Sequence, residues 1–71
     1  MRDQLIQAGI RNLKEFGYPT VNSENILTDM VYKEFFKRML EDTIEDAEKL
    51  GDSFCAVKVA ATELIKEIDK A

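Results

Sequence analysis

Between Tyr32 and Leu50 the chain carries one continuous amphipathic pattern, and that pattern dictates an α-helical fold. Wound at about 100° per residue, Tyr32, Phe35, Phe36, Met39, Leu40, Thr43, Ala47 and Leu50 fall within an arc of roughly 140°. Lys33, Glu34, Lys37, Glu41, Glu45 and Glu48 lie outside it. An apolar face this wide needs two neighbours, which the flanking segments must supply. Nowhere does the chain show the alternation that a half-buried strand requires.

The segment before the stripe reads as a helix over residues 3–16. Leu5, Ile6, Gly9, Leu13 and Phe16 cluster within about 100° of arc, with Ile10 at the margin. Gly9 costs about 1 kcal/mol against Ala inside a helix, a loss that close approach by another helix would offset. Gly17 supplies a left-handed C-terminal residue and Pro19 prevents continuation. Asn22 can cap a short helical turn over residues 23–27 that carries Ile26 and Leu27 inward. Thr28 or Asp29 can then cap the long helix, expected over residues 29–50.

Gly51 ends that helix, and Asp52 or Ser53 starts the last one, over residues 53–68. Phe54, Val57, Ala61, Leu64, Ile65 and Ile68 give its inner face, and the tail after Ile68 should fray. So short a break between two helices forces an antiparallel hairpin. The expectation is one all-α domain over residues 1–71, with three main helices in a compact orthogonal and antiparallel arrangement. At 71 residues the chain is near the lower limit for folding alone, and self-association would add stability.

Composition narrows the chemistry. Histidine is absent and Cys55 is the single cysteine. Within one chain this removes Cys/His nucleophile pairs, Cys/His zinc sites and an internal disulfide. Gly9, Gly17 and Gly51 are too dispersed for a phosphate-binding loop. The calcium-loop pattern with its distal glutamate is missing too. No cofactor, no metal and no enzymatic activity are expected. Beside Ala56 and Val57, Cys55 reads as a small buried thiol suited to a reducing compartment. No apolar run approaches the roughly 18 residues of a membrane span, and the start resembles no signal peptide. A cytoplasmic location with no membrane partner is the expectation.

Charge is uneven. Ten basic and fourteen acidic residues leave a net of −4, which argues against general affinity for nucleic acid. Residues 1–38 carry six basic and five acidic groups, whereas residues 39–71 carry four and nine. Glu41, Asp42, Glu45, Asp46, Glu48 and Asp52 form an acidic stretch broken only by Lys49. It reads either as a solvated face or as a contact surface for a basic partner. Arg11, Lys14, Lys33, Lys37 and Arg38 are the only basic candidates in a helix-turn-helix outline, without the side-chain array of a recognition helix. Met30, Val31, Cys55 and Val59 are surplus to the inner faces. They mark either a homodimer or partner interface or the scattered exposed apolar residues of any surface.

Two stretches carry a resemblance: Asn12-Leu13-Lys14-Glu15-Phe16-Gly17-Tyr18-Pro19 and Glu24-Asn25-Ile26-Leu27-Thr28-Asp29. They resemble small helical proteins encoded by bacteriophages and prophages, over roughly residues 3–42. The Phe35-Phe36 and Met39-Leu40 pairs fit, and the chain from about Thr43 onward does not enter the resemblance. It implies a phage or bacterial setting and the cytoplasm of an infected or lysogenic cell, and no activity. The function expected is a small non-enzymatic protein–protein interaction module, homodimeric in one version. The alternatives are a DNA-associated transcriptional regulator and an acidic DNA-mimic inhibitor of a host enzyme.

Overall fold

Two glycines in the left-handed region punctuate the chain, Gly17 at φ +104° and Gly51 at φ +97°. The computed structural model describes residues 1–70, apart from the side chain of Asp52. Helix α1 runs Arg2–Glu15, α2 Met30–Leu50 and α3 Cys55–Lys70, with 3-10 turns at Asn25–Leu27 and Asp52–Phe54. No strand occurs among the described residues.

Local chemistry explains each boundary. The Gly17 N–H donates to the Lys14 carbonyl at 3.1 Å and the Tyr18 N–H to the Leu13 carbonyl at 3.0 Å. This reciprocal pair satisfies carbonyls that the end of α1 would otherwise leave open. Asn22 Oδ1 accepts from the N–H groups of Glu24 and Asn25, while Asn25 Oδ1 accepts from the Asn22 N–H at 2.8 Å. Those bonds tie the connection into a fixed turn with Val21 and Ile26 buried. Of the two expected caps of α2, Asp29 is the one used, its Oδ1 accepting from Val31 and Tyr32 at 2.9 and 3.1 Å.

Helices α2 and α3 form the hairpin, and α1 lies across both. At one end Arg2 reaches Glu67 on α3 at 2.8 Å, and further along α1 Asn12 donates to Met39 Sδ on α2 at 3.1 Å. Ile6, Ile10 and Leu13 from α1 close over Phe36 and Leu40 from α2 and Leu64 and Ile68 from α3. Gly9 sits at the crossing. A Cβ there would stand 2.6 Å from the Phe36 ring and 2.9 Å from Ile26 Cδ1. The approach that this glycine permits is by an aromatic ring, not by the backbone of another helix.

The structure departs from the sequence pattern in three places. The buried meridian of α2 is Phe36, Leu40 and Ala47 with Ile44 half-buried, whereas Phe35 is 42% and Leu50 65% exposed. Phe35 stands about 100° from Phe36 and about 180° from Ile44, on the side of α2 turned away from the centre of the buried face. Leu50 lies beyond the reach of α1. Helix α3 begins at Cys55, which leaves Phe54 in the preceding turn and partly exposed. The Asp52 cap expected for α3 falls on a side chain outside the described residues. Finally, α3 continues to Lys70 without fraying after Ile68. Its last turns are held by Arg2 to Glu67 and by Lys37 to Asp69, both at 2.8 Å.

Two outcomes follow. Gly9→Ala gains about 1 kcal/mol of helix propensity but forces the Phe36 ring to move, and overpacking of that kind costs about 1–3 kcal/mol. Urea denaturation should therefore show a net loss of stability, part of which returns when Phe36→Leu is added. The second concerns acid. The hydrogen bond from Arg2 holds the Glu67 carboxyl below its ordinary value. A depressed folded pKa means stability present above the ordinary carboxylate range and lost as pH falls through the folded value. Both side chains are about half exposed, so the amount is only tenths of a kcal/mol. In titrations of stability, Glu67→Gln should lie below the parent by that amount at neutral and alkaline pH, converge with it in acid and lack that part of the acid slope.

Candidate partner-binding groove

Helix α1 outruns its support. Because it crosses α2, its C-terminal end overhangs the outer side of that helix, where Phe16 occupies the cap position and remains 78% exposed. Beneath the overhang lies an open groove of about 340 Å³. Gly9, Leu13 and Phe36 form its floor, Asn12 and Phe16 one wall, Phe35 and Met39 the other, and Arg38 and Asp42 its polar rim. Tyr18 braces Phe35, with ring centroids 5.6 Å apart and planes at 43°. Tyr18 also meets Tyr32 edge-on at 5.6 Å, and the Tyr32 hydroxyl is 2.8 Å from Thr20 Oγ1. Phe35 is thus fixed by a ring on its flank while part of its surface faces water.

Arg38 and Asp42 lie four residues apart on α2, are exposed, and take part in no ion pair among the described residues. Glu45 and Lys49 on the same helix have the same spacing and do pair, at 3.4 Å. The difference follows from order. An acid preceding a base by four positions is the favoured arrangement on a helix, and the reverse order is weaker.

Met30, Val31, Cys55 and Val59 are all exposed, but they do not form one surface. The Lys37–Asp69 pair sets the register of the hairpin and places Val59 level with Ala47. Val31 is then about 25 Å away along α2. Val31 lies one turn before Phe35 and extends the groove's apolar edge, whereas Met30 points about 100° away. Cys55 is exposed, which corrects its reading as a buried thiol. The reason is position: it opens α3 at the hairpin turn, where no third helix covers it.

Glu41, Asp42, Glu45, Asp46 and Glu48 are likewise all exposed. Helical spacing separates them into two flanks, Asp42 and Asp46 toward the groove and Glu41, Glu45 and Glu48 away from it. The basic candidates are also divided. Lys37 is held by Asp69, Arg38 stands on the groove rim, and Arg11 and Lys14 are on α1. Among the described residues no three acidic or thiol side chains converge to hold a metal ion, and no helix is long and apolar enough to cross a membrane.

Phe16 and Phe35 are the groove residues that the sequence pattern assigned to the core. A signal for each was present. Phe35 stands at the margin of the α2 stripe, about 100° from Phe36, and Phe16 directly precedes the Gly17 stop, at the end of the apolar run.

No protein family, curated protein or solved structure matches this chain.

The exposure of Cys55 has a direct readout. A thiol-specific disulfide reagent should modify it in the folded protein at nearly the rate found after denaturation. Cys55→Ser should change stability by no more than about 0.5 kcal/mol. Protection of the thiol by orders of magnitude would contradict the placement.

Proposed function

We propose that the protein is a small non-enzymatic interaction module, of phage or bacterial setting, that binds a protein partner through the groove between α1 and α2. The observation that carries this reading is Phe16, 78% exposed at the mouth of an apolar groove that Phe35 and Met39 also line. Covering a phenylalanine side chain is worth roughly 1.5–3 kcal/mol. The surrounding residue types, aromatic rings with methionine and arginine, are those enriched at the centres of protein interfaces. Apolar anchors would supply the affinity. The acidic flank of α2 would tune partner choice and association rate through its field.

The two alternatives draw less support. A DNA-associated regulator needs a concentrated basic surface, and here Lys37 is engaged by Asp69 while Arg38 faces the groove. An acidic DNA mimic needs an extended, regular array of carboxylates, and those of α2 lie on two flanks with Lys49 among them.

The test is comparative capture. The immobilised protein and its Phe16→Ser and Phe35→Ser variants are each exposed to bacterial lysate at moderate salt. A protein retained by the parent should be lost from both variants, because truncating an anchor weakens binding by about tenfold or more. Glu45→Gln should retain it with a slower on-rate. Retention unchanged by both phenylalanine variants would place the binding surface elsewhere. Salt-steep binding of duplex DNA by the parent would favour the regulator instead.

A further inference from the structure

We propose that Met39 is a reversible oxidation site at the joint between α1 and α2, taking one oxygen from a peroxide on the sulfur lone pair that Asn12 leaves free. The inference concerns the joint itself and does not depend on what occupies the groove. Asn12 Nδ2 on α1 donates to Met39 Sδ on α2 at 3.1 Å. Among the described residues it is the one side-chain hydrogen bond between these two helices. Met39 is half-buried against the core, yet it lines the open groove. A small oxidant can therefore reach a sulfur whose position is fixed. Met1 and Met30 differ in this respect. They are 53% and 75% exposed, and their side chains take part in no hydrogen bond among the described residues.

A thioether sulfur has two lone pairs, and the Asn12 amide engages one of them. The free pair attacks a peroxide oxygen, an S–O bond forms and the O–O bond breaks. With hydrogen peroxide the departing oxygen leaves as water, the sulfur gives up two electrons, and the product is the sulfoxide. Because a sulfoxide sulfur is a stereocentre, attack on one lone pair yields one epimer. Attack on the other must first break the bond to Asn12. The product sets a polar S–O group where an apolar atom packed against the core. Burying such a group without a full set of partners is costly, so oxidation weakens the joint and reduction restores it. Met39 is also part of one groove wall, and the same oxygen makes that wall polar.

Stereochemistry and stability provide the test. The folded parent, its Met39→Leu and Asn12→Ala variants and the urea-unfolded parent are treated with hydrogen peroxide, digested, and mapped by mass spectrometry. Each digest is then exposed to methionine sulfoxide reductase of one or the other epimer specificity. Met39 of the folded parent should carry one epimer in about fivefold excess, the ratio set by a net hydrogen bond of ordinary strength. Met30 in the same sample, and Met39 of the unfolded chain, should carry both epimers nearly equally. Asn12→Ala replaces an exposed side chain, and circular dichroism reports that its fold is kept; its Met39 epimers should equalise. In urea, oxidation should weaken the folding equilibrium of the parent by about tenfold, and reductase treatment of the intact protein should recover it. Met39→Leu keeps Met1, Met30 and Cys55, and its equilibrium should not respond to oxidation. Equal epimers at Met39 of the folded parent, or an excess that survives Asn12→Ala, overturn the assignment. So do a Met39 that stays unoxidised until the chain unfolds and a loss of stability shared by Met39→Leu.

Discussion

The contact between the Phe36 ring and the bare Cα of Gly9 sets the distance at which α1 crosses α2, and most of the architecture follows from that distance. A side chain of any size at Gly9 would displace the Phe36 ring or α1 itself, since even a methyl carbon would stand 2.6 Å from the ring. The same ring and Ile26 are almost fully buried, so the connection between α1 and α2 is sealed by the crossing as well. The glycine costs helix propensity. The close packing it allows removes the largest aromatic surface of the core from water, and that gain is the larger one.

Since the crossing is near one end of the hairpin, the molecule has two unlike halves. Around Phe36, Leu40, Leu64 and Ile68 three helices share a core. Beyond Ile44 only α2 and α3 remain, facing each other through Ala47 and Ala61, both nearly inaccessible. Small residues let two helices approach closely without a third layer. The price is that Leu50, Phe54, Cys55 and Val59 stay in contact with water. The elongated outline, 35 × 26 × 17 Å, reflects this two-helix extension. The carboxylates of Glu41, Asp42, Glu45, Asp46 and Glu48 are exposed along it.

Much of the fold was legible in the sequence because the stops and caps are local chemistry. Gly17 with Pro19, Asp29 and Gly51 each act through their own backbone or a neighbour within five residues, and no tertiary information is needed to place them. The inward faces of α1 and α3 were legible through periodicity alone. What periodicity could not give was azimuth. An arc of apolar residues on α2 has no marker for its centre, and the true centre lies on the Ile44 side because both neighbours approach from there. The pattern therefore includes Phe35 and Leu50 and omits Ile44, whereas the structure exposes the first two and half-buries the third. The groove was missed for the same reason, since Phe16 and Phe35 are solvent-facing only once α1 crosses at a given angle. Ala56 and Val57 beside Cys55 suggest burial, but a helix's first residue is buried only where another element covers it, and none does here.

Core and groove are consequences of one arrangement. A helix that crosses another at close range can bury only the turns near the crossing, and the turn past it must either stop or overhang. Here it does both: Gly17 stops the helix, and Phe16, the last residue before the stop, is left over the outer side of α2. The ring across the groove from it, Phe35, is exposed because Phe36 has taken the inward position. Shortening α1 by a turn would remove the Phe16 overhang and with it the Tyr18–Leu13 closure that anchors the following turn. The exposed aromatic pair is thus built into the way α1 ends. A surface that the fold cannot avoid presenting, apolar at its centre and bordered by Arg38 and Asp42, is a surface suited to being covered by a partner.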